Sequence, residues 1–205
     1  PVPARPPLPR PSSHAPVTDA ACVARMGDMR RARIHILGAS GSGTTTLGAA
    51  LASAWSVPHA DADDYFWLPT DPPFTEKRAE PDRVALMRAI FAPRPAWVLS
   101  GSMMGWGDGI AAECDAVVFV TLDPAERMRR LEARERRRRG GGSLHDAAWD
   151  VFRDWAQSYD DPTFDGRSRA SHEAWLAALG KPVLRLDGLH PTADLLDAVL
   201  RWDPA

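Results

Sequence analysis

Apolar and polar positions follow two alternating regimes from Arg33 to Trp202. Short apolar runs (Ile34-His35-Ile36-Leu37, Trp97-Val98-Leu99 and Val117-Val118-Phe119-Val120) are each followed by small or polar residues. Continuous runs of this kind are the pattern of strands buried on both faces. They predict strands at 33–37, 96–100 and 115–122, with a short one near 57–60 and another at 182–186. The stretches between them predict helices at 44–55, 81–92, 124–138, 145–158, 168–179 and 191–201. Pro124 suits a first helical turn, and Gly180 followed by Pro182 suits a helix end. Alternating β and α blocks, with no internal repeat, predict a parallel sheet covered on both faces.

Residues 1 to about 30 break this pattern. PVPARPPLPRPSSHAP carries too much proline for a helix or an interior strand, which predicts an extended, disordered segment. Arg5 and Arg10, with no acid before Asp19, hint at a transit peptide; a plain extension upstream of a start at Met26 or Met29 is the simpler reading. Residues 31–205 then make one domain.

Composition narrows the classes of function. The formal net charge of −2 excludes a chain built as a whole to bind polyanions. The positive charge is concentrated between Arg127 and Arg139, without the aromatic interleaving of a nucleic-acid surface. Lys77 and Lys181 are the only lysines. Two cysteines, Cys22 and Cys114, make neither a disulfide framework nor a metal cluster, and Cys114 reads as a core thiol. No apolar stretch has the length of a membrane span, and a cytoplasmic protein is expected.

The segment Gly38-Ala39-Ser40-Gly41-Ser42-Gly43-Thr44-Thr45-Thr46 lies between the first strand and the first helix. Strand, glycine-rich turn and helix N-terminus are the setting of a phosphate-binding loop. The spacing matches G-x-x-x-x-G-K-[ST] except that Thr44 replaces lysine. The glycines allow successive N–H groups to aim inward, and the Thr45 hydroxyl stands where Mg²⁺ is ligated. A charge-assisted contact to phosphate is worth about 1.5–3 kcal/mol, so the missing lysine calls for another cation. Lys77 or Arg78 could swing over from the segment Pro72–Arg78. A rival reading takes Gly38 and Gly41 as the start of an NAD(P)-binding turn with Asp61 on the ribose. That reading lacks the third glycine, at Thr44, and a Tyr-x-x-x-Lys pair.

Asp61-Ala62-Asp63-Asp64-Tyr65-Phe66-Trp67 follows the second strand and should face the loop. Asp61 or Asp63 could orient an acceptor hydroxyl as a base or hold Mg²⁺, while Asp64 suits a solvated helix cap. Arg127, Arg130, Arg134 and Arg137 recur at helical spacing on roughly one face, and the helix runs into Arg139-Gly140-Gly141-Gly142. Arginines at the edge of such a hinge can close over a transferred phosphate, and Arg167 and Arg169 form a second small set. Trp67, Trp106, Trp149 and Trp155 fall in segments expected near the cleft; an aromatic there can stack on a base or simply pack.

ILGASGSGTTTL, DADDYFW, WVLSGS, DAVVFVTLDPAERMRRLEARE and VLRLDG together resemble the adenylate-kinase-like branch of the P-loop kinases, which includes nucleoside-monophosphate and shikimate kinases. Within that branch it resembles small bacterial adenylate-kinase-like and topology-modulation ATPase proteins. The resemblance implies a three-layer α/β/α P-loop NTPase fold with a five-stranded parallel sheet. It also implies an acceptor-binding insertion after the second strand and an arginine-bearing lid at roughly 137–168. Gly38–Thr46 would hold ATP phosphates, Asp61 and Asp63 would lie near the acceptor, and Arg130, Arg134 and Arg137 would flank the lid. Asp187 would lie by the adenine. Arg167 joins the catalytic candidates, and Thr45 and Asp61 are the metal candidates. The expected activity is Mg-dependent transfer of the ATP γ-phosphate to a nucleotide or other small-molecule acceptor. The family's acid at the end of the third strand is missing, since Ser100-Gly101-Ser102 stands there. With Thr44, this keeps a nucleotide-binding regulator or pseudo-kinase as the alternative.

Overall fold

The computed structural model describes residues 32–144 and 146–203. The proline-rich segment expected over 1–30, with Cys22, lies outside them. Five strands form where apolar runs were expected: β1 (Arg33–Gly38), β2 (His59–Asp61), β3 (Trp97–Ser100), β4 (Ala116–Thr121) and β5 (Val183–Asp187). All pair in parallel, in the order β2-β3-β1-β4-β5. In a dinucleotide-binding fold the first two strands adjoin. Here β3 separates them, which removes the NAD(P) reading.

The sheet is a middle layer because its side chains alternate between two apolar faces. Ile34, Ile36, Val98, Val118 and Val120 meet Leu47, Leu51, Leu195 and Val199 on one side. Leu37, Trp97, Leu99, Val117 and Phe119 meet Met87, Phe91, Ile110 and Leu176 on the other. Cys114 is buried in that second layer, and burial pushes its thiol up to about 12, as fits a core thiol.

The helices are α1 (Thr44–Trp55), α2 (Ala62–Phe66), α3 (Glu80–Ile90), α4 (Asp108–Ala111), α5 (Pro124–Arg138), α6 (Ala147–Gln157), α7 (Arg169–Leu179) and α8 (Thr192–Arg201). A 3₁₀ turn occupies Ser158–Asp160. The expected long helices form within about two residues at each end. Local chemistry sets several of those ends. Asp123 accepts the N–H groups of Ala125 and Glu126, with Pro124 in the first turn of α5. Ser168 and Ser171 cap α7 reciprocally, and Gly180 ends it at φ 63°. The helices not expected, α2 and α4, are too short to show a period. No described helix is long and apolar enough to cross a membrane.

The expected arginine face of α5 is divided. Arg127 is fully buried, not solvated. Its Nη1 donates to the Ala156 carbonyl at 2.9 Å and its Nη2 to Asp160 at 2.8 Å, and the guanidinium lies 5.1 Å over the Tyr159 ring. Asp160 also accepts from Arg169 at 2.8 Å. This clamp, with Leu131, Trp149 and Ala156 packed together, seats α6 and the 3₁₀ turn on α5.

Candidate active site

The turn from β1 to α1 is held in a form only its glycines permit. Gly41 and Gly43 have φ of 89° and 99°, where a Cβ is strained. A Cβ on Gly38 would stand 2.2 Å from the Val120 carbonyl oxygen, so β4 itself demands glycine there. One wall of the loop rests on α5, because a Cβ on Gly41 would meet the Arg127 carbonyl and Leu131 at 2.9 Å. Ala39 and Ser42 are buried, and the Ser42 hydroxyl has no hydrogen-bond partner among the described residues. Thr45 and Thr46 are exposed in the first turn of α1, and Thr44 is partly exposed.

Asp61 ends β2 in register with Ser100 at the end of β3. One of its oxygens accepts from the Thr45 hydroxyl at 2.7 Å and from Ser100 Oγ at 3.2 Å. The other caps α2 by accepting the Asp63 N–H at 3.0 Å. The cap expected at Asp64 is therefore made by Asp61. Ser100 also stands 3.0 Å from His59 Nε2. All partners are satisfied when His59 Nε2–H donates to Ser100 Oγ and the Ser100 hydrogen goes to Asp61. Burial lowers the His59 pKa, which favours that neutral ring, against the pull of Asp61 and Asp64. No acid ends β3; the acid that ends β2 is hydrogen-bonded there by a serine on β3. Ser100 was visible in the sequence only as a missing carboxylate.

Asp63 contrasts with Asp61. The residue is exposed, and its carboxylate accepts no hydrogen bond among the described residues. Burial and the charge of Asp61 push its pKa up, while Arg167 and Arg134 oppose the shift. Arg167 Nη2 donates to Ser40 Oγ at 3.1 Å, and its guanidinium lies 4.7 Å over the Trp155 ring. Its Nε is buried and without a partner. Burial pulls the Arg167 pKa down, and Asp63 and Tyr159 oppose that. Arg167 is therefore a cation in contact with the loop that lacks its lysine. Lys77, considered for that place, lies 5.8 Å over the Phe66 ring. Arg78 donates to the Tyr65 and Trp67 carbonyls, and neither makes a hydrogen bond to the loop.

The remaining candidates are spread around the rim. Arg130 spans two elements, donating to Glu126 at 2.8 Å and to the Gly188 carbonyl at 3.0 Å. Hydrogen bonds from Arg129 and Arg130 hold the Glu126 carboxyl down at about 2. Asp187 accepts the Leu189 N–H at 2.9 Å, shaping a turn that presses on the loop: a Cβ on Gly188 would meet the Ser42 carbonyl at 2.5 Å. Arg134 is exposed, close enough to Asp63 to act on its charge. The Arg137 side chain is exposed and makes no hydrogen bond or ion pair to another described residue. Of the tryptophans, Trp106 and Trp149 are buried packing residues and Trp155 underlies Arg167.

A buried network links the floor of this cleft to the segment behind Arg167. His172 is fully buried, with Nε2 3.0 Å from Ser102 Oγ and Nδ1 2.9 Å from the Tyr159 hydroxyl. Burial drives its pKa down to about 3, and that of His35 beneath it to about 4. Nothing in their spacing signalled this pairing, which joins positions 70 and 13 residues apart.

Solved structures share the fold that carries this site. The chain superposes on shikimate kinase from Acinetobacter baumannii in complex with shikimate, with a TM-score of 0.52 at 15% identity over 83% of this chain and 91% of that one. It matches a sugar kinase from Janibacter sp. HTCC2649 with a TM-score of 0.51 at 16% identity, over 84% and 94% of the two chains. The fold is that of the P-loop kinases. No family model matches the chain. It is 41% identical over 174 residues to YqaC of Bacillus subtilis strain 168, an uncharacterized protein, spanning 82% of this chain and 96% of YqaC. The chain belongs to the same family as YqaC.

Proposed function

We propose that this protein is an ATP-dependent phosphotransferase acting on a small acceptor. The observation that carries the reading is the division of labour between two acids two residues apart. Asp61 is committed to Thr45, Ser100 and the α2 backbone, whereas Asp63 is free and has a raised pKa beside the glycine loop. A free carboxylate with an upward-shifted pKa suits a base that accepts the acceptor's hydroxyl proton. The acceptor oxygen then bonds to the γ-phosphorus as the bond to the β-phosphate oxygen breaks, and ADP departs. Loop N–H groups and Arg167 bear on the phosphate charge, and Arg134 faces the same cleft.

The donor set fits Mg²⁺. Thr45 and Asp61 offer two hard oxygens already in contact at 2.7 Å, which is how a metal that retains several waters is held. When bound, the ion would neutralise charge on the β- and γ-phosphates. Arg130 and the Asp187–Gly188 turn form the rim where the nucleoside end would lie. The segment 137–168, clamped through Arg127, is the candidate lid.

Calorimetric titration of ATP with and without Mg²⁺, followed by phosphoryl-transfer assays on nucleoside monophosphates, shikimate and sugar acids, tests the reading. Micromolar Mg·ATP binding and ADP release with at least one acceptor are expected. The absence of a lysine at Thr44 favours a second reading, a nucleotide-binding regulator; Mg·ATP binding without transfer to any acceptor would support it. Failure to bind ATP overturns both.

A further inference from the structure

We infer that His172 is a positioning residue for Arg167: through Tyr159 and Ser102 it fixes the helix start that presents Arg167 to the glycine loop. The inference rests on the phosphotransferase reading only for the use made of Arg167; the link itself stands on geometry. Among the described residues, Arg167 is the cation that hydrogen-bonds the loop, and its own grip is slight, one bond of 3.1 Å to Ser40 and a stacking contact with Trp155. Its backbone is set from α7. Ser168 and Ser171 close the start of that helix on each other, and Ser171 Oγ lies 3.1 Å from the Gly166 carbonyl oxygen. The residues on both sides of Arg167 are therefore tied to α7.

His172 follows directly and joins this helix start to two other elements. Its Nδ1 stands 2.9 Å from the Tyr159 hydroxyl on the 3₁₀ turn, and its Nε2 3.0 Å from Ser102 Oγ in the turn after β3. Hydrogen-bond satisfaction gives this chain a direction. Tyr159 is buried and its hydroxyl has no other partner among the described residues, so its hydrogen goes to Nδ1. His172 then carries its own hydrogen on Nε2 and donates it to Ser102 Oγ. The opposite tautomer would bury a phenolic hydrogen with no acceptor, which disfavours it about 10- to 100-fold. A second histidine braces the same turn. His35 Nε2–H donates to the Gly101 carbonyl at 2.7 Å, and the Trp175 ring, one turn along α7 from His172, meets the His35 ring edge-on at 5.7 Å. A Cβ on Gly101 would stand 2.9 Å from the Ala62 Cβ, so the turn that α7 grips is itself wedged against the start of α2.

The test examines the full chain by NMR without ligand and by calorimetry with Mg·ATP. Two-bond nitrogen–proton correlations should show His172 protonated on Nε2; a hydrogen on Nδ1 overturns the inference. Tyr159→Phe removes one hydroxyl and keeps the ring that the Arg127 guanidinium covers. Exchange of the buried Arg167 Nε–H should quicken about 10- to 100-fold in this variant, while the buried Arg127 Nε–H keeps its rate. Mg·ATP binding should weaken about 3- to 10-fold in Tyr159→Phe, and stay within about twofold when the same change is made in an Arg167→Gln background. Ser102→Ala, at a partly exposed position, should act in the same direction and carries the test if Tyr159→Phe fails to fold. An unchanged Arg167 exchange rate, equal quickening at both arginines, or equal losses of Mg·ATP affinity in the two backgrounds overturns the inference. A parent that does not bind ATP fails the phosphotransferase reading and leaves the tautomer and exchange measurements to decide the role of His172.

Discussion

Replacing Arg167 with glutamine removes the cation in contact with the glycine loop. Its Nη2 bonds Ser40 at 3.1 Å and its buried Nε has no partner, so the guanidinium has donors to spare for a phosphate. One charge-assisted contact is worth about 1.5–3 kcal/mol, or roughly 10- to 150-fold in Kd. Arg167→Gln should therefore weaken Mg·ATP binding by that factor. If Arg167 stands in for the missing loop lysine, Thr44→Lys should gain little alone, because two cations then share one phosphate group. In the Arg167→Gln background, Thr44→Lys should recover most of the loss, a coupling of about 1 kcal/mol or more. Calorimetry of the four proteins at fixed ionic strength measures the cycle. An Arg167→Gln Kd within about twofold of the parent refutes the assignment. So does a Thr44→Lys gain that is the same in both backgrounds.

Thr45→Val and Asp61→Asn should each abolish the enhancement of ATP binding by Mg²⁺, about tenfold or more, while leaving metal-free ATP binding nearly unchanged; equal enhancement in parent and variants contradicts this. Arg127→Met strips one partner from a buried ion pair and should cost about 3 kcal/mol, read as a lowered thermal midpoint together with faster tryptic cleavage between Arg136 and Ser143. His35 and His172 titrate near 4 and 3 in the fold and near 6.5 when unfolded, so the unfolded chain binds more protons below pH 6.5. Their stabilisation is complete above pH 6.5 and is lost as pH falls toward 4, by about 1.4 kcal/mol per pH unit for each ring. Urea midpoints at pH 7.5, 6.0 and 5.0 check the sign, and a flat profile excludes it.

Much of the architecture is legible because it is local. Val117–Val120 reads as a buried strand from its own composition, and Asp123-Pro124 carries the start of α5. The spacing of the glycine loop is equally local, nine residues between a strand and a helix, although β4 and α5 are what crowd Gly38 and Gly41. The site's working partners are not local. Asp61 finds Ser100 only because β2 and β3 pair in a register set by distant packing. Arg127 looks like any other member of a charged helical face until α6 and Asp160, 29 to 33 residues on, are docked on it. Helices as short as α2 fall below any detectable period, so the element that bears Asp63 and is capped by Asp61 had to come from the structure.

The start of α2 places Asp61 and Asp63 on one short, rigid stretch of backbone joined by a single N–H contact. The negative charge of Asp61 is part of what raises the Asp63 pKa. A cation settling on Asp61 would offset that charge and make Asp63 more acidic. By reciprocity, a proton taken up by Asp63 would loosen the cation by the same factor. Proton and metal would thus be antagonists across two residues, and any substitution in α2 that tunes one would retune the other.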